Sequence, residues 1–531
     1  MRHLLGIVLI SLWALYSQAQ APFSVYLEPT NIQGLGGLQS YAFAQHNGYW
    51  VFVGGRLDGL HRRQPWASFD LAGHNNQIWV VDPVNAQVWN ASIQALPLSV
   101  QDQLSATNLE FYQEGDYLYL AGGYGFSQVI NDHRTHPYFS AIHLPSLIQA
   151  IQAGSPLDGS IRQLTDSYFA VTGGYLMKVY NRFYLVGGHL FDGRYNPMGH
   201  GTFTQTYTEA IRRFEVTDDG QNLIINKLAD WQDAALLHRR DFNVLPQILP
   251  NGEEGVMAFA GVFQPTVDLP FLNIVRVDSS GYAEVAGFQQ FYQQYHCAHL
   301  PLYEASSQQM HNLFFGGMSQ FYDSAGVRVE DQNVPFVRTI ASVSFDAQGV
   351  PTEWLLPVQM PDLLGASAEF IPLPNLPTYN NEVVKMDDLV GDTILLGHIF
   401  GGILSSAPNI FWINDGTQST ATSELFKVYL LRNSTIGQEE ILPIPHTLKA
   451  WFDKEQHLQI RIDQRPTESF AVWVADLQGR ELFRQSRAVG SVDWGQPELD
   501  FGRVSSDSLP KVVLVGVEID GRRQLLKVLT N

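Results

Sequence analysis

The chain has 531 residues, more than one ordinary hydrophobic core accommodates, so several domains or an array of repeats are expected. Apolar residues make up 45% and charged residues 16%, a globular and not a disordered composition. A formal charge of -20 repels phosphate backbones and anionic lipid, which argues against nucleic acid as a partner and against adsorption to a membrane surface.

The first twenty residues, "MRHLLGIVLISLWALYSQAQ", carry Arg2 and His3, then an apolar run from Leu4 to Tyr16, then Ser17 and Ala19 spaced as a signal-peptidase site requires. The run is too short to span a bilayer well. The reading is a signal peptide over 1–19, cleaved near Ala19/Gln20, and a secreted or outer-surface protein. No later stretch has the length of a transmembrane segment. Cys297 is the only cysteine, so no intrachain disulfide and no cysteine-based zinc site can form.

From residue 49 onward one phrase recurs: "YWVFVGG", "DYLYLAGG", "RFYLVGG", "VMAFAGV", "NLFFGG" and "LLGHIFGG". Each is a short run of Val, Leu, Phe and Tyr ending on glycine, five times on a pair and once on Gly261 alone. Such runs predict strands buried on both faces. The glycines let the backbone turn and a neighbouring chain approach closely. A second strand follows each phrase: "NNQIWVVDPVNAQVW", "YFSAIHL", "TEAIRRFEV", "FLNIVRVD", "RTIASVSFD" and "SELFKVYLL". Turn-like tails come next, among them "DDGQN" and "DSSGY".

The order of apolar strand, glycine pair, second strand, turn and tryptophan resembles the kelch-repeat family over roughly residues 30–435. "YWVFVGG…QIWVVDPVNAQVW" carries the resemblance best. It implies an all-β fold in which a six-bladed kelch-like β-propeller occupies residues 20–437, with "FSVYLE" (23–28) pairing with the last unit to close the ring.

Beyond it, "ILPIPHTLKAW" reads as a linker over 438–449. Residues 450–531 contain short alternating strands joined by "DLQG" and "IDGR" turns and are expected to form a small C-terminal β-sandwich. "VADLQGREL" and the terminal "LLKVLTN" are similar to the C-terminal sorting domain of the bacterial type IX secretion system, although "KVVLVGVEI" replaces its usual glycine–tyrosine strand. That resemblance implies a Bacteroidetes-type protein whose C-terminal domain engages the secretion machinery.

The segments preceding the glycine strands would begin at the mouth of the channel. They supply Gln39, Ser40, Thr107, Asn108, Thr172, Arg239, Arg240, Asp241, His296, His299 and Glu369. Polar groups there have little reason to exist unless water or ligand fills the channel. Asn108, Arg240, His296 and Glu369, with Ser40 and Thr172, are the expected ligand-binding set. Arg240 would pair a carboxylate, and Glu369 or His296 would accept hydroxyl protons. His296 and His299, three apart in a strand, would point to opposite faces, which disfavours a two-histidine metal site. No metal and no cofactor is expected: phosphate-loop, dinucleotide and zincin motifs are absent.

The functional expectation is a propeller that binds a protein or glycan through its loops and channel mouth. The alternative is a carbohydrate-active enzyme. Within the kelch resemblance, that means an acidic-sugar isomerase or a sugar oxidase. Several charged groups converging on a well-formed pocket would favour the enzyme, and an apolar plug would favour binding through loops.

Overall fold

The computed structural model describes residues 23–198, 201–324, 327–432, 448–453, 456–462, 469–475, 481–488, 499–504, 512–519 and 522–529. The signal-peptide segment, most of the 438–449 linker and the "DLQG" turn lie outside these residues. The chain is all-β, with 51% strand against 7% helix, arranged in small antiparallel sheets. It divides into two compact units, Met1–Arg432 and Asn433–Asn531.

The first unit repeats one sheet pattern. A leading strand pairs antiparallel with a glycine-ended strand, which pairs with a third, which pairs with a fourth. The leading strands are Ala42–His46, Glu110–Glu114, Tyr175–Val179, Asn243–Ile248, Ala298–Glu304 and Glu369–Pro372. Their partners Tyr49–Val53, Tyr117–Ala121, Arg182–Val186, Glu254–Phe259, Gln309–Phe315 and Thr393–Phe400 are the six repeated phrases. In the last sheet the fourth place is taken by Phe23–Thr30, which runs antiparallel to Leu425–Arg432 from Phe23↔Arg432 to Thr30↔Leu425.

Strand alternation explains why the repeated phrases are apolar throughout. Val51 and Val53 pack with Leu118 and Leu120 of the second sheet, while Trp50 and Phe52 turn the other way and pack with Ile371, Phe400 and Leu425 of the last. The same sharing continues along the chain. Tyr119 and Phe139 meet Phe183 and Phe214; Tyr184 and Val186 meet Val256 and Val275; Phe259 meets Phe314; and Leu313 and Phe315 meet Leu396 and Val428. Each sheet therefore buries both faces, one against the sheet before it and one against the sheet after it.

The glycine pairs make the joints between these sheets. The N–H of Gly55 donates to Ala106 O (2.8 Å), Gly123 to Val171 O (2.9 Å), Gly188 to Arg239 O (2.7 Å), Gly317 to Leu364 O (3.0 Å) and Gly402 to Leu38 O (2.9 Å). Gly122 sits at φ +61 with its α-carbon against that same Val171 carbonyl, so a Cβ there would overlap the oxygen. In the fourth unit Ala260 takes the first place at φ 55, and its carbonyl accepts from Arg239 Nη1 at 2.6 Å.

The glycine-rich stretch 189–207 contributes strands His189–Gly193 and Phe203–Tyr207 to a small sheet with Tyr124–Ser127 and Asp132–Thr135. Extended backbone there is supported by aromatic packing: Phe191 meets Tyr124, Tyr195 and Phe203 within 5.4 Å between ring centres.

The described residues of the second unit form two antiparallel sheets. One runs Leu448–Phe452, His457–Ile462 and Leu499–Arg503, and the other joins Glu481–Ala488, Ser469–Ala475, Val512–Ile519 and Arg522–Leu529. Phe452, Leu458, Ile460 and Phe501 share a core with Phe470, Val472, Val474, Val513, Val515 and Val517. Among the described residues no helix is long and apolar enough to cross a membrane.

Candidate functional site: a cavity walled by the six leading strands

Two residues before each leading strand stands Ser40, Asn108, Gly173, Asp241, His296 or Ser367. These six are tied to one another across the sheets. The N–H of Ser40 donates to Ser367 O (3.1 Å), Ser367 to His296 O (2.8 Å), His296 to Asp241 O (3.2 Å), Asp241 to Gly173 O (2.8 Å), and Asn108 to Ser40 O (3.1 Å). The remaining link is the Thr172 hydroxyl, which donates to Asn108 O at 3.1 Å. The chain of bonds thus returns to its first residue. All but His296 hold φ between 48 and 66, the left-handed region that Gly, Asn, Asp and, less readily, Ser enter.

Next to this ring is a cavity of about 490 Å³ lined by residues of all six leading strands or the segments that start them. Ser40, Asn108, Asp241, His296 and Glu369 lie on its wall. His296 Nε2 and Glu369 Oε1 are 2.8 Å apart. Burial works against an imidazolium at His296, but the charge and hydrogen bond of Glu369, helped by Asp241, carry its pKa above the usual value. Ser40 Oγ donates to Gln39 Oε1 at 2.6 Å.

His299 also faces the cavity, its Nδ1 2.8 Å from the Cys297 carbonyl oxygen, and burial lowers its pKa to about 4. The expectation of opposite faces does not apply, because His296 lies in the ring segment ahead of Ala298, where strand alternation has not begun. Cys297 between them is fully buried, and burial pushes its thiol up to about 12.

Two of the expected ligand-binding residues are turned elsewhere. The Thr172 hydroxyl is taken by the ring, and Arg240 is not on the cavity wall. The Arg240 guanidinium pairs with Asp241, contacts the Tyr207 hydroxyl at 3.2 Å and lies over the Phe263 ring at 5.1 Å. Its neighbour Arg239 is buried among acceptors, Leu236 O at 2.6 Å, Ala260 O at 2.6 Å and Asn273 O at 3.0 Å, and burial lowers its pKa to about 9. Gln39 is tied to Asp58 O and Gly59 O, and the main chain of Thr107 pairs with Tyr124.

The cavity also presents two groups that the sequence reading passed over, Glu110 and Tyr175. Glu110 is 1% exposed; Oε1 accepts from Gly174 N–H at 2.9 Å, and Oε2 has no partner among the described residues. Burial raises its pKa well above the usual carboxylate value, against the Gly174 hydrogen bond. The Tyr175 hydroxyl is buried without a partner, and its ring lies 5.5 Å from His296 and 5.9 Å from His299. Aligning the units would have found both: Glu110, Tyr175 and Glu369 each follow a ring residue by two positions.

Among the described residues no group of three or more His, Cys, Asp or Glu side chains could hold a metal ion. The wall can accept and donate hydrogen bonds, move a proton between His296 and Glu369, and stack rings against an apolar face. No protein-family model matches the chain, and no curated protein matches it.

Proposed function

We propose that the protein is a secreted, kelch-like six-bladed β-propeller that binds a glycan in its central cavity, followed by a C-terminal domain of the type IX sorting kind. Two features support the propeller: the cyclic order in which the sheets share cores, the last with the first, and the hydrogen-bonded ring at residues 40, 108, 173, 241, 296 and 367. The sorting reading rests on the tail sequence. Deleting residues 440–531 should retain the protein in the periplasm, and unimpaired export would refute this part.

The observation that carries the binding reading is the cavity itself. Its volume falls in the range of about 300–1,000 Å³ typical of small-molecule sites. Its lining includes both aromatic residues and hydrogen-bonding groups, the combination that the apolar face and hydroxyl edge of a sugar ring require. The test is a glycan array probed with the mature chain, with hits repeated by calorimetry on Glu369→Ala and His296→Ala. Binding that these changes weaken at least tenfold supports the site. Binding that they leave untouched moves it to the outer loops.

A second reading, acid–base chemistry on the bound sugar, is favoured by the His296–Glu369 pair. A carboxylate 2.8 Å from an imidazole, both on one cavity wall, can take up and return a hydroxyl proton.

A further inference from the structure

The cavity changes character from its floor to its mouth. Among the described residues none beyond the ring lines it, so the ring is its closed end. At the ring stand Asn108, Asp241 and His296, all partly exposed, with Glu369 2.8 Å from the His296 imidazole. Three positions along the chain from their ring residues, Phe43, Phe111 and His299 are the partly exposed lining side chains. A strand rises about 3.3 Å per residue, so this second level stands above the floor by about the size of one sugar ring. The open rim follows, two positions further on.

The second level divides into two parts. Phe43 and Phe111 meet at 5.5 Å between ring centres with their planes 66° apart, which makes an apolar notch and not a flat platform. Opposite in character is His299, with the Tyr175 ring 5.9 Å away. The Cys297 carbonyl can only accept, so Nδ1 of His299 carries the proton and donates to it at 2.8 Å. Nε2 is thereby left as an acceptor with no partner among the described residues, and unlike the Tyr175 hydroxyl it is not sealed from the cavity. A ligand that fills both levels has hydroxyls toward the floor, one donor toward His299 and an apolar group in the notch. An ordinary hexose fails the last condition, because its hydroxymethyl group would lose its hydrogen bonds to water against Phe43 and Phe111 and gain none. A 6-deoxyhexose has a methyl group at that place.

We propose that the ligand of the central cavity is a 6-deoxyhexose at the end of a glycan, its methyl group in the Phe43–Phe111 notch and its ring hydroxyls on Asn108, Asp241 and the His296–Glu369 pair. This rests on the reading of the cavity as a glycan site. With the hydroxyls of C2 to C4 turned toward the floor, C5 and C1 lie on the upper edge of the sugar ring. The methyl on C5 then meets the notch, and the linkage at C1 leaves by the open rim. The closed floor admits a chain end and not a chain passing through. His299 Nε2 takes the one hydroxyl on its side of the ring.

The test is calorimetry on the full chain with three pairs of sugars that differ only in a methyl against a hydroxymethyl group: L-fucose and L-galactose, L-rhamnose and L-mannose, 6-deoxy-D-glucose and D-glucose. In the pair whose ring hydroxyls fit, the 6-deoxy member should bind at least tenfold tighter, toward the roughly hundredfold by which an apolar pocket rejects an isostere with one more hydroxyl. Phe43→Gln, which puts hydrogen-bonding groups into the notch, should abolish that preference. His299→Leu should weaken both members alike and keep their ratio. The wild-type ratios need no variant, so they decide even if a variant fails to fold. Equal affinities within every pair that binds, or tighter binding of the hydroxymethyl member, overturns the 6-deoxyhexose and leaves the glycan site standing. A preference that survives Phe43→Gln, or is lost in His299→Leu, overturns the placement of the methyl group. Binding of none of the six overturns both the 6-deoxyhexose and the glycan site.

Discussion

Removing the carboxylate beside His296 should reverse the sign of the shift in its pKa. In the intact cavity Glu369 outweighs burial and the imidazole pKa lies above its usual value; in Glu369→Gln the burial remains and the charge does not, so the pKa should fall below about 6.5. Histidine ring signals followed by NMR across pH, assigned with His296→Asn, check this. A consequence for stability follows from the sign. A folded-state pKa raised above the unfolded one contributes stability that is fully present below the unfolded value and is lost as pH rises through the folded value. Wild-type stability should therefore decline across that window above about pH 6.5, and Glu369→Gln should remove that decline. An unchanged His296 pKa in the variant would mean that Glu369 does not govern it.

At the scale of the element, the glycine pair is where sequence dictates geometry most tightly. Gly122→Val places a branched side chain at φ +61 against the Val171 carbonyl that its neighbour Gly123 hydrogen-bonds. The expected loss is about 1–3 kcal/mol, from backbone strain and overpacking. Gly159→Val, with nothing within 4 Å of the new Cβ, should stay within about 0.5 kcal/mol. Urea denaturation of the two variants measures the difference, and equal losses would make Gly122 an ordinary turn residue.

These joints were legible because an apolar run ending on glycine encodes both double burial and close approach. The leading strands were legible only by position, as the segments before the glycine strands. That sufficed to bring Ser40, Asn108, His296 and Glu369 to one wall. It failed at Arg240, because which way a residue in a left-handed ring segment points is set by the turn and not by strand alternation. Glu110 and Tyr175 were hidden for a different reason. A carboxyl or hydroxyl beside Phe or Leu reads as an ordinary exposed strand position, and only the surrounding sheets bury it.

At the scale of the whole molecule, the question is where recognition occurs. A net charge of -20 spread over the chain keeps anionic partners away, while six separate segments supply one wall. Binding at the loops and binding in the cavity differ in which amides a ligand protects. Exposed apolar side chains such as Trp66 (75% exposed) and Trp412 (54%) mark the loops that a macromolecular partner would cover. Hydrogen exchange of the full chain, read by mass spectrometry with and without saturating L-fucose and L-rhamnose, separates the two. Recognition in the cavity predicts slowed exchange together in peptides spanning 40–46, 108–114, 173–179, 241–248, 296–304 and 367–372, with loops 56–73 and 405–418 unchanged. Protection confined to those loops, or no protection in the six leading segments with either sugar, would contradict it.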